Sequence, residues 1–254
     1  MVRRLLVLAL NAFKEAIRKK IVGVLLVFAL VFIGSTNLLA TFTPEEQIKM
    51  IQDVGLGGIL LFGMLITVFM GMTLIPTEIE KRTIYPLLSM PVRRGEVVAG
   101  KYLGGAFTLL FNLFLMTCVF LIVLGFKKVF NFLALKAIFL FSIELLLLLA
   151  LAVFFSTFVS PTINAASTLF IYVMGLLSSY LKFLGGQAEN TIIRYMALFF
   201  YRVLPNFQNF NLSSQAVNQM PIPASLILKN VIYGFSYIFV FLILGVIIFS
   251  RREV

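Results

Sequence analysis

The stretch Thr77–Lys101, with the sequence TEIEKRTIYPLLSMPVRRGEVVAGK, interrupts an otherwise almost continuous apolar chain. It carries three acidic and five basic side chains. Placing one Arg or Lys at the centre of a bilayer costs about 2.5–3.5 kcal/mol, so burying four of these bases would cost about 10 kcal/mol. The stretch is therefore predicted to lie outside the membrane.

The composition around this stretch is that of a membrane protein. Hydrophobic residues make up 61% of the 254, the mean hydropathy is +1.06, and only 12% are charged. A soluble domain is about half apolar and a quarter charged. The net charge of +11 comes from bases scattered between apolar runs, whereas a nucleic-acid site gathers them on one face. We therefore expect no nucleic-acid partner.

The apolar runs predict an all-α polytopic protein with six transmembrane helices, because about 20 apolar residues span a bilayer core. The whole chain, 1–254, is expected to form one transmembrane domain. The predicted spans are 21–42, 56–76, 102–124, 132–155, 164–184 and 225–249.

Three segments outside these spans have their own patterns. The helical spacing of polar residues over 2–20 predicts an interfacial amphipathic helix, although a basic flank of the first span would look similar. Thr43–Glu46 has the pattern of a capping box, so a short exposed helix is expected to Asp53, followed by a glycine-loosened link. The segment 185–224 is too apolar for a linker, and its amphipathic part predicts a re-entrant helix buried in protein.

The distribution of bases predicts the orientation. Both termini and the stretch 77–101 together hold 13 bases, against 8 in the opposite loops and their flanks. By the positive-inside rule, both termini and that stretch are cytoplasmic, and 185–224 faces outward.

The residue types in the chain give little support for a catalytic site. His is absent and Cys118 is the one cysteine, so histidine catalysis and thiolate metal sites are excluded within the chain. Gly95–Lys101 matches G-x-x-x-x-G-K, but Tyr102 follows instead of Ser or Thr and no strand precedes it. We expect no enzyme activity, cofactor or metal in this chain, and these glycines are predicted to serve close helix packing.

Glu144 is the acidic residue deepest inside a predicted span. Such residues are costly to bury and are candidates for a substrate or proton path. The alternative is a glutamate that is protonated or hydrogen-bonded between helices. Lys136 is two turns away, too far for an i,i+4 pair. Asn112, a second candidate for the path, and Asn164 are predicted to bridge helices.

The stretch 77–101 resembles the cytoplasmic loop of type-2 (export) ABC transporter permeases. The matching elements, in order, are Glu78 and Glu80, Thr83 with Leu87-Leu88, Pro91-Val92-Arg93-Arg94, and Gly100-Lys101. Two distant segments also resemble the family: Leu204-Pro205-Asn206-Phe207 with Phe210-Asn211, and the basic ending Ser250-Arg251-Arg252-Glu253.

The resemblance implies a permease that forms the substrate path as a homodimer and binds two copies of a separate cytoplasmic ATPase, which holds the ATP and Mg²⁺. It implies export across a bacterial-type cytoplasmic membrane, with room for an accessory protein on the outer face. The loop between spans two and three would form a coupling helix, and the turn between spans four and five a smaller contact.

By the same resemblance, the ATPase contacts would be Glu78, Glu80, Lys81, Arg82, Tyr85, Leu88, Pro91, Arg93, Arg94, Ser160 and Pro161. The substrate path or outer gate would include Glu144, Asn112, Tyr201, Pro205, Asn206 and Phe207. Two other functions stay open. An ion-coupled secondary transporter would use Glu144, and a non-transporting membrane scaffold would need neither set.

Overall fold

The computed structural model describes residues 2–39, 47–76, 94–128, 131–187 and 191–251, apart from the side chains of 2–5 and 37–39. Throughout these ranges the secondary structure is helical, joined by turns. In chain order the helices are α1 Val2–Ile17, α2 Lys20–Leu39, α3 Gln47–Gly71, α4 Arg94–Phe126, α5 Phe132–Ser156, α6 Pro161–Leu176, α7 Ser178–Gln187, α8 Thr191–Val203, α9 Ser213–Val217 and α10 Ala224–Arg251. A 3₁₀ turn at Phe207–Phe210 lies between α8 and α9.

Four helices of the described chain are long and apolar enough to cross a membrane, namely α3, α4, α5 and α10. The pair α6 and α7 raises the number to five if it counts as one span. The helix α2 contributes a shorter apolar run, Lys20–Thr36. The chain is thus a multi-pass membrane protein, with four to five candidate spans among its described residues.

Helix α5 is the centre of the bundle. Of its most apolar window 72% is buried, against 17% for α10, and it packs against α3, α4, α6, α9 and α10. Asn131 caps its start, with Oδ1 accepting from the Leu133 amide at 2.9 Å. The observed bounds, Phe132–Ser156, agree with the predicted span 132–155 to one residue.

The prediction for the second span was wrong at its start. Instead of a short helix followed by a loosened link, α3 runs without a break through Gly55, Gly57 and Gly58. A Cβ at Gly55 would lie 2.5 Å from the Phe120 ring, and one at Gly58 would lie 2.8 Å from Phe32. Gly55 and Gly58 therefore leave room for aromatic rings to pack closely against a continuous helix. The predicted capping box at 43–46 lies outside the described residues.

The fifth span was predicted as one helix over 164–184, but the chain is bent by 63° between α6 and α7. The bend is at Leu177, whose backbone leaves the helical conformation. It lies beside Gly175, where the Pro205 carbonyl and the Phe207 ring pack closely. We therefore attribute the bend to the packing of Pro205 and Phe207 against this part of the helix. The residue at position 177 gives no sequence signal of a bend.

The helix that contains the third predicted span begins before that span, since α4 starts at Arg94 and includes all of Gly95–Lys101. Helical backbone over this stretch cannot form the phosphate-cradling loop of a P-loop. Gly100 instead packs against Leu8 of α1, whose Cβ would lie 2.7 Å from a Cβ at position 100. The predicted role of this glycine in close helix packing is confirmed.

The length of α4 defines two ends of the bundle. Lys101 and Phe126 are separated by 25 helical residues, about 38 Å at 1.5 Å per residue, which exceeds the bilayer core of about 30 Å. Helix α1 lies at the Lys101 end, where Glu15 forms an ion pair with Lys101 at 3.0 Å. We call this the first end, and the end at Phe126 the second.

Candidate functional site

The side chain of Glu144 lies in the middle of α5 and is completely buried. Its Oε1 accepts a hydrogen bond from the Tyr172 hydroxyl at 3.0 Å. Its Oε2 has no hydrogen-bond partner among the described residues. A buried carboxyl oxygen without a partner is costly, so within the described structure Glu144 bridges two helices through one of its oxygens only.

Lys136, the basic residue closest to Glu144 along α5, is directed elsewhere. Its Nζ donates to the Ile222 carbonyl at 3.4 Å and lies 5.7 Å from the Phe132 ring centroid. The expectation that Lys136 does not pair with Glu144 is confirmed. The described structure brings no cation to this carboxyl.

Tyr172 connects Glu144 to the segment that follows α8. Its ring lies 5.0 Å from that of Phe207, centroid to centroid, at an interplanar angle of 58°. Both side chains are buried, Tyr172 to 4% exposure and Phe207 to 0%. A continuous contact path therefore runs from Glu144 through Tyr172 to Phe207.

The segment Pro205–Phe210 has a compact local structure, and we call it the outer plug after the outward orientation predicted for 185–224. The Asn206 Oδ1 accepts from the Gln208 amide at 3.0 Å and caps the 3₁₀ turn. This turn directs Phe207 and Phe210 into the bundle, and both are fully buried. Asn and Pro together favour such a turn after a helix end, which explains the Leu-Pro-Asn sequence.

Helix α10 holds the outer plug through two polar contacts. The Asn206 amide donates to the Tyr233 hydroxyl at 2.8 Å, and Asn230 Nδ2 donates to the Asn209 carbonyl at 2.6 Å. Phe210 packs at Gly234, where a Cβ would lie 3.2 Å from its ring. The plug is thereby wedged between α5, α6 and α10.

A second polar cluster lies at the second end of the bundle. Asn131 Nδ2 donates to Gln52 Oε1 at 3.1 Å and to the Ala216 carbonyl at 2.8 Å. These bonds tie α3, the start of α5 and α9 together. The plug and α9 therefore share the end of the bundle that Phe126 marks.

Among the described residues, the hydrogen bonds of the other predicted path residues do not reach Glu144. Asn112 is buried on α4, and its Nδ2 donates to the Thr108 carbonyl one turn earlier in the same helix at 2.7 Å. This bond does not bridge helices. Asn164 does, since its Nδ2 donates to the Ala152 carbonyl of α5 at 3.0 Å. Tyr201 lies on α8, with Lys182 Nζ 5.7 Å from its ring centroid.

Most of the predicted ATPase contacts lie outside the described residues. These are Glu78, Glu80, Lys81, Arg82, Tyr85, Leu88, Pro91 and Arg93. Three contacts are described. Arg94 begins α4, and Ser160 and Pro161 begin α6.

Arg94 is bound to the end of α10 within the chain. Its Nη1 donates to the Phe249 carbonyl at 3.0 Å, and its guanidinium lies 6.0 Å from the Phe249 ring centroid. Nearby on α10, Gly245 faces Phe154 and Thr157, close to the turn at Ser160. Arg94 and the Ser160 turn are therefore both adjacent to the last turns of α10, at the first end.

Sequence reasoning did not identify Tyr172, Tyr233 or Asn230. Tyr172 is a single hydroxyl within an apolar run, and its partner Glu144 is 28 residues earlier. Asn230 could have been identified, because an amide near the start of an apolar span needs a hydrogen-bond partner in a neighbouring segment. Within the described residues no group of three or more His, Cys, Asp or Glu side chains could hold a metal ion.

Comparison with known families and proteins gives one result. No curated protein matches the sequence. The family model described as "ABC-2 family transporter protein" matches residues 6–254, nearly the whole chain. The all-helical bundle, the apolar spans and this match together show that the chain belongs to the ABC-2 transporter family of membrane proteins.

Proposed function

We propose that the chain is the permease subunit of an ATP-driven ABC exporter, and that two copies form the substrate path and bind two copies of a separate cytoplasmic ATPase. The observation that carries the proposal is the family match over residues 6–254. The helical backbone of Gly95–Lys101 agrees with it, because ATP would then be bound by the partner.

Six spans with both termini in the cytoplasm fit this function best. They require α2 to cross the membrane and α6 with α7 to act as one broken span. The first end, with Arg94 and the Ser160 turn, would then face the ATPase. The second end, with the outer plug, would face outward, where an accessory protein could bind, in a bacterial-type cytoplasmic membrane.

In this arrangement the described ATPase contacts, Arg94 and the turn at Ser160 and Pro161, act through α10. Arg94 is hydrogen-bonded to Phe249, and the Ser160 turn lies beside Gly245. A partner that moves the loop 77–93 would therefore pull directly on the end of α10. At its other end, α10 holds the outer plug through Asn230 and Tyr233. We infer that α10 transmits ATPase closure to an outer gate formed by Tyr201 and Pro205–Phe207, above a path that includes Glu144 and Asn112.

The test uses charge reversal at the proposed docking loop. Arg93→Glu is expected to weaken binding of a co-expressed ABC ATPase about tenfold, the equivalent of about 1.4 kcal/mol, while membrane insertion is kept. Co-purification and stimulated ATP hydrolysis measure the effect. Arg94→Glu is a less clean variant, because Arg94 also binds α10.

The matched control is Lys128→Glu, which reverses an exposed base at the second end. It should leave ATPase binding unchanged. If Arg93→Glu binds the ATPase as well as the control does, the loop is not the docking surface. If no ABC ATPase co-purifies with the unaltered chain, the proposed function itself fails.

Ion-coupled transport by the chain alone is the second candidate. It is favoured by the unpartnered Oε2 of Glu144 in the bundle core. Flux driven by a proton gradient in vesicles that contain only this chain would support it. Flux that requires the ATPase supports the first proposal.

A further inference from the structure

We propose that Glu144 and Tyr172 form a proton-binding site whose occupancy is linked to the position of the outer plug. Glu144 carries a proton while Phe207 is seated against Tyr172. It releases this proton to water when the plug moves away. The inference concerns this chain alone and does not depend on the ATPase.

The surroundings of Glu144 cannot support a buried carboxylate. A buried charge needs a counter-charge or several donors. The described residues offer one donor, the Tyr172 hydroxyl at 3.0 Å. Oε2 has no partner, and the nearest base along the helix binds a carbonyl elsewhere. In the seated arrangement the carboxyl is therefore neutral.

The neutral acid is also incompletely satisfied. A protonated carboxyl has an O–H donor as well as an accepting oxygen, and the structure provides a partner for one oxygen only. Water entering the site would supply the missing hydrogen bond and would also solvate a charge. The entry of water and the release of the proton therefore both favour movement of the outer plug away from Tyr172.

The outer plug is the cover whose movement would admit this water. Phe207 is fully buried against the Tyr172 ring. The plug is fixed to its neighbours by polar bonds that water can replace. These are Asn206 to Tyr233, Asn230 to Asn209, and Ser179 to Gln208 at 2.7 Å. The plug can therefore leave without breaking a helix, and its departure would expose the face of Tyr172.

The titratable groups on the other elements around α5 do not compete for this proton. On α10, the Tyr233 hydroxyl accepts from the Asn206 amide, and the Tyr237 ring lies 4.9 Å from that of Tyr233, tilted by 56°. On α4, the Tyr102 hydroxyl donates to the Leu146 carbonyl at 3.4 Å. The 3₁₀ turn and α9 contain no titratable side chain.

The remaining charges lie near helix ends. Helix α3 carries Lys49 and Asp53 in its first two turns, both away from the core side. Helix α4 carries Glu96 and Lys101 at the first end, where Lys101 pairs with Glu15. Glu144 is thus the group whose charge depends on the plug.

The direction of the pH effect follows from the linkage. The seated state holds the proton and the displaced state releases it, so a fall in pH favours the seated plug and a rise favours displacement. Replacing Glu144 by Gln keeps a neutral side chain of similar shape. Glu144→Gln is therefore expected to keep the plug seated at all pH values.

The first experiment measures protonation directly. Infrared spectra of the chain in lipid nanodiscs should contain a protonated-carboxyl C=O band that is lost in Glu144→Gln. Tyr172→Phe should shift this band to higher wavenumber, because the hydrogen bond to Oε1 is removed. A band unaffected by Glu144→Gln, which would mean an ionised Glu144, overturns the proposal.

The second experiment follows the plug. Spin labels are attached at Asn209→Cys and Lys128→Cys, both exposed, in a Cys118→Ala background, and the distance between the two labels is measured. Samples that carry one label each identify the distances between two copies of the chain. The fraction of the seated distance should fall as pH rises, and the infrared band should fall with it. Asp53→Asn, which removes an exposed carboxyl, should change neither.

These measurements remain decisive if Glu144→Gln folds poorly, because the unaltered chain gives both readouts and the shift in Tyr172→Phe assigns the band to Glu144. Loss of the band without movement of the plug would overturn the linkage. A plug whose position is independent of pH overturns it equally. ATPase binding enters neither readout, so failure here is distinguishable from failure of the proposed function.

Discussion

At the scale of single residues, Gly175 decides whether the outer plug can be seated. A Cβ there would lie 2.5 Å from the Phe207 ring and 2.5 Å from the Pro205 carbonyl oxygen. The ring could turn aside, but the carbonyl belongs to the backbone of the plug. Gly175→Ala is therefore expected to displace the plug and to lower the free energy of unfolding by about 1–3 kcal/mol, the usual effect of overpacking.

The comparison variant is Gly186→Ala, which adds the same methyl group to a helix where nothing lies within 4 Å. It should be neutral or slightly stabilising, because Ala favours helix more than Gly does. Thermal unfolding of both purified proteins in one detergent measures the difference. Equal stability of the two variants would show that Phe207 is not seated at Gly175.

The sequence alone reveals some residues of the site and not others. Glu144 was predicted as a candidate because an acid in an apolar run is conspicuous. Its partner Tyr172 was not, because a hydroxyl in another helix gives no local signal of the contact. Asn206 and Phe207 were identified by resemblance. Their packing against Gly175 and Tyr233 depends on long-range contacts.

At the scale of helices, bounds were predictable where a cap or a charge marks them. Asn131 marks the start of α5, and Arg251 ends α10 two residues after the predicted limit. The sequence misled where glycine serves packing, as at Gly55, or where a distant segment imposes a bend, as at Leu177. Glycine is ambiguous because it both loosens a chain and lets helices approach.

For helix α1, the contacts that hold it on α4 can be tested by mutation. It is held on α4 by the ion pair of Glu15 and Lys101 and by close contact of Ala12 with Gly104. Lys101 is 7% exposed and Glu15 35% exposed. Removing the carboxylate weakens the pairing of a buried charge, so Glu15→Gln is expected to cost about 1–3 kcal/mol.

The control is Lys14→Gln, which removes an exposed charge from the adjacent position, and it should cost less than about 0.5 kcal/mol. The exchange Glu15→Lys with Lys101→Glu should recover part of the stability lost in Glu15→Gln. Unfolding midpoints and protease cleavage within α1 give the comparison. A Glu15→Gln variant as stable as the control would mean that packing alone holds α1.

At the scale of the whole molecule, the orientation in the membrane decides on which side each end of the bundle lies. Lys14 is on α1 at the first end, whereas Lys128 and Asn218 are at the second end, where Asn131 contacts Ala216. About 38 Å of helix α4 separates these ends, so they must be on opposite sides of a bilayer core of about 30 Å. The proposed orientation, with both termini in the cytoplasm, places Lys14 in the cytoplasm and the other two residues outside.

Single cysteines at these three positions, in a Cys118→Ala background, test that arrangement in sealed right-side-out vesicles. A membrane-impermeant maleimide should label Lys128→Cys and Asn218→Cys at once, and Lys14→Cys only after permeabilisation, with an increase of at least tenfold. The reverse pattern would keep the spans and invert the orientation. Labelling of all three from outside would show that α4 does not cross the membrane, and the six-span arrangement would fail.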